Sequence, residues 1–156
     1  MERSHHYTAE VTWTGNRGSG TLDYRAYSRD HTIAATGKEQ TISASSDPLF
    51  RGDAAKFNPE ELFLSSLSSC HMLWYLHLAA VNGVVVLEYE DRPQGTMEEA
   101  EDGSGRFTSV ILHPRVRIAD VGKQDIAARL HAEAGKKCFL AASVNFPVSY
   151  EPTIWV

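Results

Sequence analysis

The chain has 156 residues, enough for one domain to bury a core without disulfide or metal staples. Its net charge of −5 is spread out, and its basic residues never cluster beyond Lys136-Lys137, which removes the electrostatic footing for nucleic-acid binding. Three Trp and six Phe exclude a disordered chain.

Tyr7, Ala9, Val11 and Trp13 alternate, so they fall on one face of a strand. GNRGSG makes a turn, and TLDYRAYS and HTIAATGKEQTISAS continue as two further strand-like runs, an antiparallel meander. SSDPLFRGDAAKF reads as a loop. A helix then starts: Asn58 caps, Pro59 takes the first helical position and Glu61 closes a capping box. Glu60 and Glu61 also complement the positive helix end. The helix stops at Asn82-Gly83, a left-handed terminator. VVVLEYE is a strand, EEAEDGSG a polar loop and RFTSVILHPRVRI a strand whose Pro114 marks an edge or bulge. A second helix from Lys123 to Cys138 carries Ile126, Leu130 and Ala134 as an inward stripe that runs on to Cys138. SVNFPVSYEPTIWV closes the chain as extended structure. The whole of 1–156 reads as one α+β domain.

The apolar stretch Leu62–Val81 approaches the length of a membrane span. Four serines, Cys70, His71 and His77 interrupt it, and no basic flank orients it, so a buried core helix is expected instead. MERSHHYTAE lacks an apolar signal segment, and two cysteines cannot build a secreted disulfide framework. The expected setting is a reducing cytoplasm, where a cysteine pair is catalytic or metal-binding more often than structural.

Cys70 and Cys138 are the only cysteines. Cys70 shares its helix face with Ser66, Leu67, Leu73 and Trp74, an apolar wall. A lone cysteine there is more often a small buried hydrophobe than a nucleophile. Cys138 on a second inward stripe changes that balance, because two such helices can bring the sulfurs within disulfide reach. Glu60 stands ten positions before Cys70, about 15 Å along a straight helix, and so cannot touch it. It can reach a neighbouring chain's cysteine if two copies of this helix pack antiparallel, with Ser65, Ser66, Ser68 and Ser69 allowing a close crossing. A homodimer with a composite site is expected, against the simpler reading of Glu60 as a solvated first-turn acid. Cys70, His71, His77 and His131 lack compact metal-ligand spacing. His71 points about 100° from Cys70, which disfavours direct pairing.

FNPEELFLSSLSSC resembles the OsmC/Ohr family of osmotically inducible and organic hydroperoxide resistance proteins: Asn58-Pro59-Glu60 precedes Cys70 at the family's spacing, and Cys138 matches its second cysteine. WTGNRGSGT and VNFPV extend the likeness over nearly the whole chain. The resemblance implies an intertwined homodimer with long central helices inside wrapped sheets. It implies thiol-dependent reduction of organic hydroperoxides: Cys70 attacks, Cys138 resolves the sulfenic acid to a disulfide, and an external dithiol such as dihydrolipoamide restores the pair. No bound cofactor or metal is implied. It also implies an arginine that pairs with Glu60 and favours the thiolate; Arg17 in the GNRGSG turn aligns best, then Arg51 and Arg29. Two departures stand out: Cys138 is followed by Phe139-Leu140-Ala141 in place of a proline and a small polar residue, and His71 replaces the common aromatic after Cys70. From a different class, the alternative is a noncatalytic member of the same fold with its cysteines as packing.

Overall fold

The computed structural model describes residues 3–156, which form two compact units, one through Leu62 and one from Phe63 onward. In the first, β1 (Glu10–Trp13), β2 (His31–Ala34) and β3 (Ile42–Ala44) make the antiparallel meander, with Val11 opposite Ile33 and Ile33 opposite Ile42. TLDYRAYS is not a strand; it turns and bends. The Asp23 carboxylate accepts from Arg25 N–H, its carbonyl accepts from Ala26 N–H, and the rings of Tyr24 and Tyr27 both pack on the Arg29 guanidinium at 4.3 and 4.2 Å. In a strand, residues three apart face opposite sides, so two rings sharing one cation require the turn. HTIAATGKEQTISAS likewise divides into β2 and β3.

The chain passes from the first unit to the second within α1 (Pro59–Val81). The expected capping box is formed: Glu61 N–H donates to Asn58 Oδ1 at 2.8 Å and Asn58 N–H to Glu61 Oε2 at 3.1 Å. At the other end Gly83 takes φ 67°. Its N–H donates to Ala80 O, and Val84 N–H reaches back to Ala79 O at 2.9 Å, a Schellman stop.

The second unit continues with β4 (Val86–Glu90), β5 (Gln94–Glu99), β6 (Gly105–Leu112), β7 (Arg115–Ile118), α2 (Gln124–Lys137), β8 (Val148–Tyr150) and β9 (Thr153–Trp155). These make two sheets, ordered β4-β7-β9 and β5-β6-β8; the terminal strands join parallel, and the other pairings are antiparallel. Two expectations change here. The polar loop shrinks to residues 100–104 because QGTMEE pairs with β6 as a strand, held by its partner more than by propensity. RFTSVILHPRVRI is two strands belonging to different sheets. Pro114 has no N–H to give a ladder, so the chain changes sheet there.

Leu67, His71, Tyr75 and Ala79 recur every four residues as the buried stripe of α1. Ala127, Leu130, His131 and Ala134 supply that of α2. Tyr75, Ala79, Val116, Ile118, Leu130 and Ala134 share one cluster; Leu67, Val110 and Leu112 share another. Gly135 lets α2 lie close to the last part of the chain, since a Cβ there would sit 3.0 Å from the Tyr150 ring. Among the described residues, no helix is long and apolar enough to cross a membrane. Replacing Asn58 by Ala removes one half of the capping box and should cost about 1 kcal/mol, read as a lowered urea midpoint at unchanged slope.

Candidate active site

The two cysteines meet. Both are free, and the Cys70 thiol is close enough to Cys138 to perturb its ionisation. Their settings differ in a way that spacing alone hides. Cys70 flanks the buried stripe of α1 and is half-buried, whereas Cys138 is 1% exposed and lies just past the last residue of α2, in an extended conformation. Ala141 N–H also donates to Cys138 Sγ at 3.4 Å. Burial, followed by the neighbouring Cys70 thiol, pushes the Cys138 thiol up to about 11. Cys138 therefore holds its proton at neutral pH.

Cys70 opens onto an apolar pocket of about 360 Å³ lined also by Leu73, Trp74, His77 and Phe139. Positions 70, 73, 74 and 77 are one face of α1, and Phe139 closes it from the segment after α2, its ring edge-on to Trp74 at 5.7 Å. Phe139, which sequence reasoning treated only as a departure after Cys138, is thus a wall of the Cys70 pocket. Its apolar character, directly following a cysteine, was the available signal. Lys137 Nζ lies 5.5 Å from the Trp74 ring centre.

His71 does not line this pocket. It belongs to the buried stripe, and its Nε2 lies 3.0 Å from Nδ1 of His131 on α2. The two imidazoles are nearly parallel with centres 5.3 Å apart, meeting edge to edge, while Tyr75 lies over His131 at 4.0 Å and Tyr150 by His71 at 5.4 Å. Burial drives both imidazoles below their ordinary range, His131 to about 3 with the neighbouring His71 adding to the effect. Among the described residues, His131 Nε2 and the Tyr75 and Tyr89 hydroxyls find no hydrogen-bond partner. His71 and Cys138 line a second cavity, of about 270 Å³, with Leu67, Gly135, Lys136 and Tyr150 among its walls. No three potential metal ligands come together among the described residues.

Asp91 fixes α1 against the sheets, accepting from Ser68 Oγ and from His113 N–H at 2.7 Å. Ser66 and Ser69 donate back to the carbonyls of Phe63 and Ser66 in their own helix, so the serine run is structural there.

The other expected site residues belong to the first unit. Glu60 is half-buried in the first turn of α1, and Arg17 is exposed in the GNRGSG turn. Arg29 donates to Tyr27 O and Tyr24 O, both at 2.8 Å, so its guanidinium is already engaged. Arg51 is exposed and adopts a left-handed φ of 65° after the 3₁₀ turn Pro48–Phe50.

The unfolded chain titrates its histidines near 6.5, whereas the folded His71 and His131 titrate lower. Between those values the unfolded state binds more protons, so stability is complete above 6.5 and falls as pH drops toward 3. Urea midpoints at pH 7, 6 and 5, before most carboxylates protonate, should decline in the native chain. They should stay flatter in His131→Phe.

The OsmC-like protein family model matches residues 52–152. An OsmC-like protein of unknown function from Vibrio cholerae superposes with a TM-score of 0.86 at 32% identity, over 96% of this chain and 100% of its own. An OsmC-like protein from Mycoplasma pneumoniae (TM-score 0.73, 13% identity, 97% and 99% coverage) has the same fold. So does an organic hydroperoxide resistance protein OsmC from Legionella pneumophila (0.69, 16%, 99% and 100%). A search of curated sequences returns no match. The motif matched from the loop before α1 to the last strands, and the shared architecture, place this chain in the OsmC-like protein family.

Proposed function

We propose that the chain is a thiol-dependent peroxidase that reduces organic hydroperoxides to alcohols. One observation carries the reading: a half-buried thiol lining an apolar pocket has beside it a second, enclosed thiol whose proton burial holds. The apolar walls suit the alkyl part of a hydroperoxide. The Cys70 thiolate attacks the outer peroxide oxygen, the O–O bond breaks, and the alkoxide takes a proton and leaves as alcohol. Cys70 is left as a sulfenic acid. Cys138 sulfur then bonds to Cys70 sulfur, the S–O bond breaks, and water departs. An external dithiol, dihydrolipoamide by the family's pattern, reduces the disulfide by exchange. The family likeness supports this chemistry, since several structural relatives are named for organic hydroperoxide resistance.

The same reading makes the working unit a homodimer. Ser65, Ser69, Leu73 and His77 lie four apart and are exposed, Leu73 by 62%, so α1 presents a stripe of small and apolar groups. A second copy would cover it. Glu60 then serves the partner's Cys70, because ten residues of helix separate it from its own, and Arg17 pairs with it to favour the thiolate.

Cys70→Ser should abolish dithiol-dependent consumption of cumene hydroperoxide. Peroxide titration of the native protein should remove both free thiols per chain together; an unchanged thiol count would end this reading. Mixing inactive Glu60→Ala and Cys70→Ser subunits should restore one working site per mixed dimer, and a mixture with no more activity than its parents would refute the shared site.

A further inference from the structure

Each cysteine borders its own cavity, and the two linings share no residue: Cys70 has the apolar pocket, Cys138 the cavity of about 270 Å³. Cys138 Sγ belongs to both settings. The Cys70 thiol is its neighbour, and it accepts the N–H of Ala141, itself a wall of the second cavity. That cavity reaches solvent at Lys136, whose side chain is 71% exposed. Leu73 and His77, walls of the Cys70 pocket, lie on the α1 stripe that a second copy would cover. No wall of the second cavity lies on that stripe, so it stays open in such a dimer.

A thiolate that opens a disulfide approaches along the S–S axis from behind the sulfur it attacks, and the exchange is faster when the expelled thiol ionises readily. At Cys70 that route runs through apolar walls, where an anion loses its water. The sulfur expelled there is Cys138, whose ionisation burial opposes. At Cys138 the route runs through the second cavity, past Lys136 and Tyr150. The sulfur expelled is then Cys70, which is half-buried and faces the open pocket. Solvation of the nucleophile and of the leaving sulfur both favour Cys138. Its exposure of 1% restricts the approach to that cavity, whose volume accommodates a short alkyl thiol.

We propose that the second cavity is the entry site of the reductant, and that a dithiol attacks the oxidised protein at Cys138 while the peroxide meets Cys70. This rests on the peroxidase reading and deepens its reducing step. The first sulfur of the dithiol, as thiolate, bonds to Cys138 Sγ. The S–S bond breaks with its electron pair on Cys70, which leaves as thiolate. The second thiol then attacks its own molecule's sulfur in the mixed disulfide and breaks the bond to Cys138, which takes up the proton that this thiol releases. The dithiol ends as a cyclic disulfide, and the protein has gained two electrons. Cys138, the poor leaving sulfur, departs only in this ring closure, where the attacking thiol is already in place. Cys70 returns directly as the thiolate that attacks the next peroxide.

Trapping the attacked sulfur tests this without peroxide. The whole protein is oxidised with diamide to the Cys70–Cys138 disulfide, exposed briefly to 2-mercaptoethanol, quenched with N-ethylmaleimide and mapped by peptide mass. A monothiol has no second sulfur to close a ring, so its first adduct persists long enough to be caught. The mercaptoethanol adduct should stand on Cys138 about tenfold more often than on Cys70, with maleimide on the other sulfur. An adduct mainly on Cys70, or divided evenly, overturns the proposal, as does a protein in which diamide closes no Cys70–Cys138 disulfide. Ala132→Leu fills part of the second cavity and should slow dithiothreitol reduction about tenfold. The rate at which iodoacetamide alkylates Cys70 in the reduced variant should stay native, and an unslowed reduction overturns the proposal. The adduct map is made on native protein and decides even if the variant does not fold. The two readings fail separately. A protein that forms no sulfenic acid with cumene hydroperoxide yet carries the adduct on Cys138 loses the peroxidase reading and keeps this one. One that forms sulfenic acid and carries the adduct on Cys70 does the reverse.

Discussion

The rotation of about 100° between successive residues of α1 is the constraint on which the site depends. The helix is apolar on most sides, so composition does not say which face goes inward. Leu67, His71, Tyr75 and Ala79 take the core, and the turn between them then fixes everything else. Cys70, one residue before His71, is carried to the flank, where it meets a pocket instead of the interior. A helix rotated by one residue the other way would bury the Cys70 sulfur and expose an imidazole.

The second half of the site follows from how α2 ends. Cys138 adopts an extended conformation directly after the helix, which turns its sulfur to Cys70 and sends Phe139 across Trp74. One chain reversal therefore seats the second thiol and closes the pocket of the first. The burial that protects the Cys138 sulfur also raises the cost of ionising it.

Much of the local structure was legible because it is encoded by residues in contact along the chain. Asn58, Pro59 and Glu61 spell the start of α1, Gly83 its end, and the stripe Ile126-Leu130-Ala134 the second helix, each through hydrogen bonds or periodicity within a few positions. TLDYRAYS misled because its Thr and Tyr residues favour strands, while its rings are held by a cation five and two residues away. QGTMEE misled in the opposite sense, having weak strand propensity and a strong partner in β6. Pro114 signalled an irregularity, but a change of sheet depends on strands paired from the far end of the chain.

The sequence by itself determined the family motif and both helices, because those rest on fixed spacings. It left undecided which thiol would be exposed, that Phe139 would be a pocket wall and that His71 would find His131 sixty residues away. Only the tertiary structure decided these, since each depends on which face of a helix is buried and on what the other helix brings to meet it. Burial then assigned different chemistry to residues that look alike in sequence: the half-exposed cysteine faces the pocket, and the enclosed one keeps its proton.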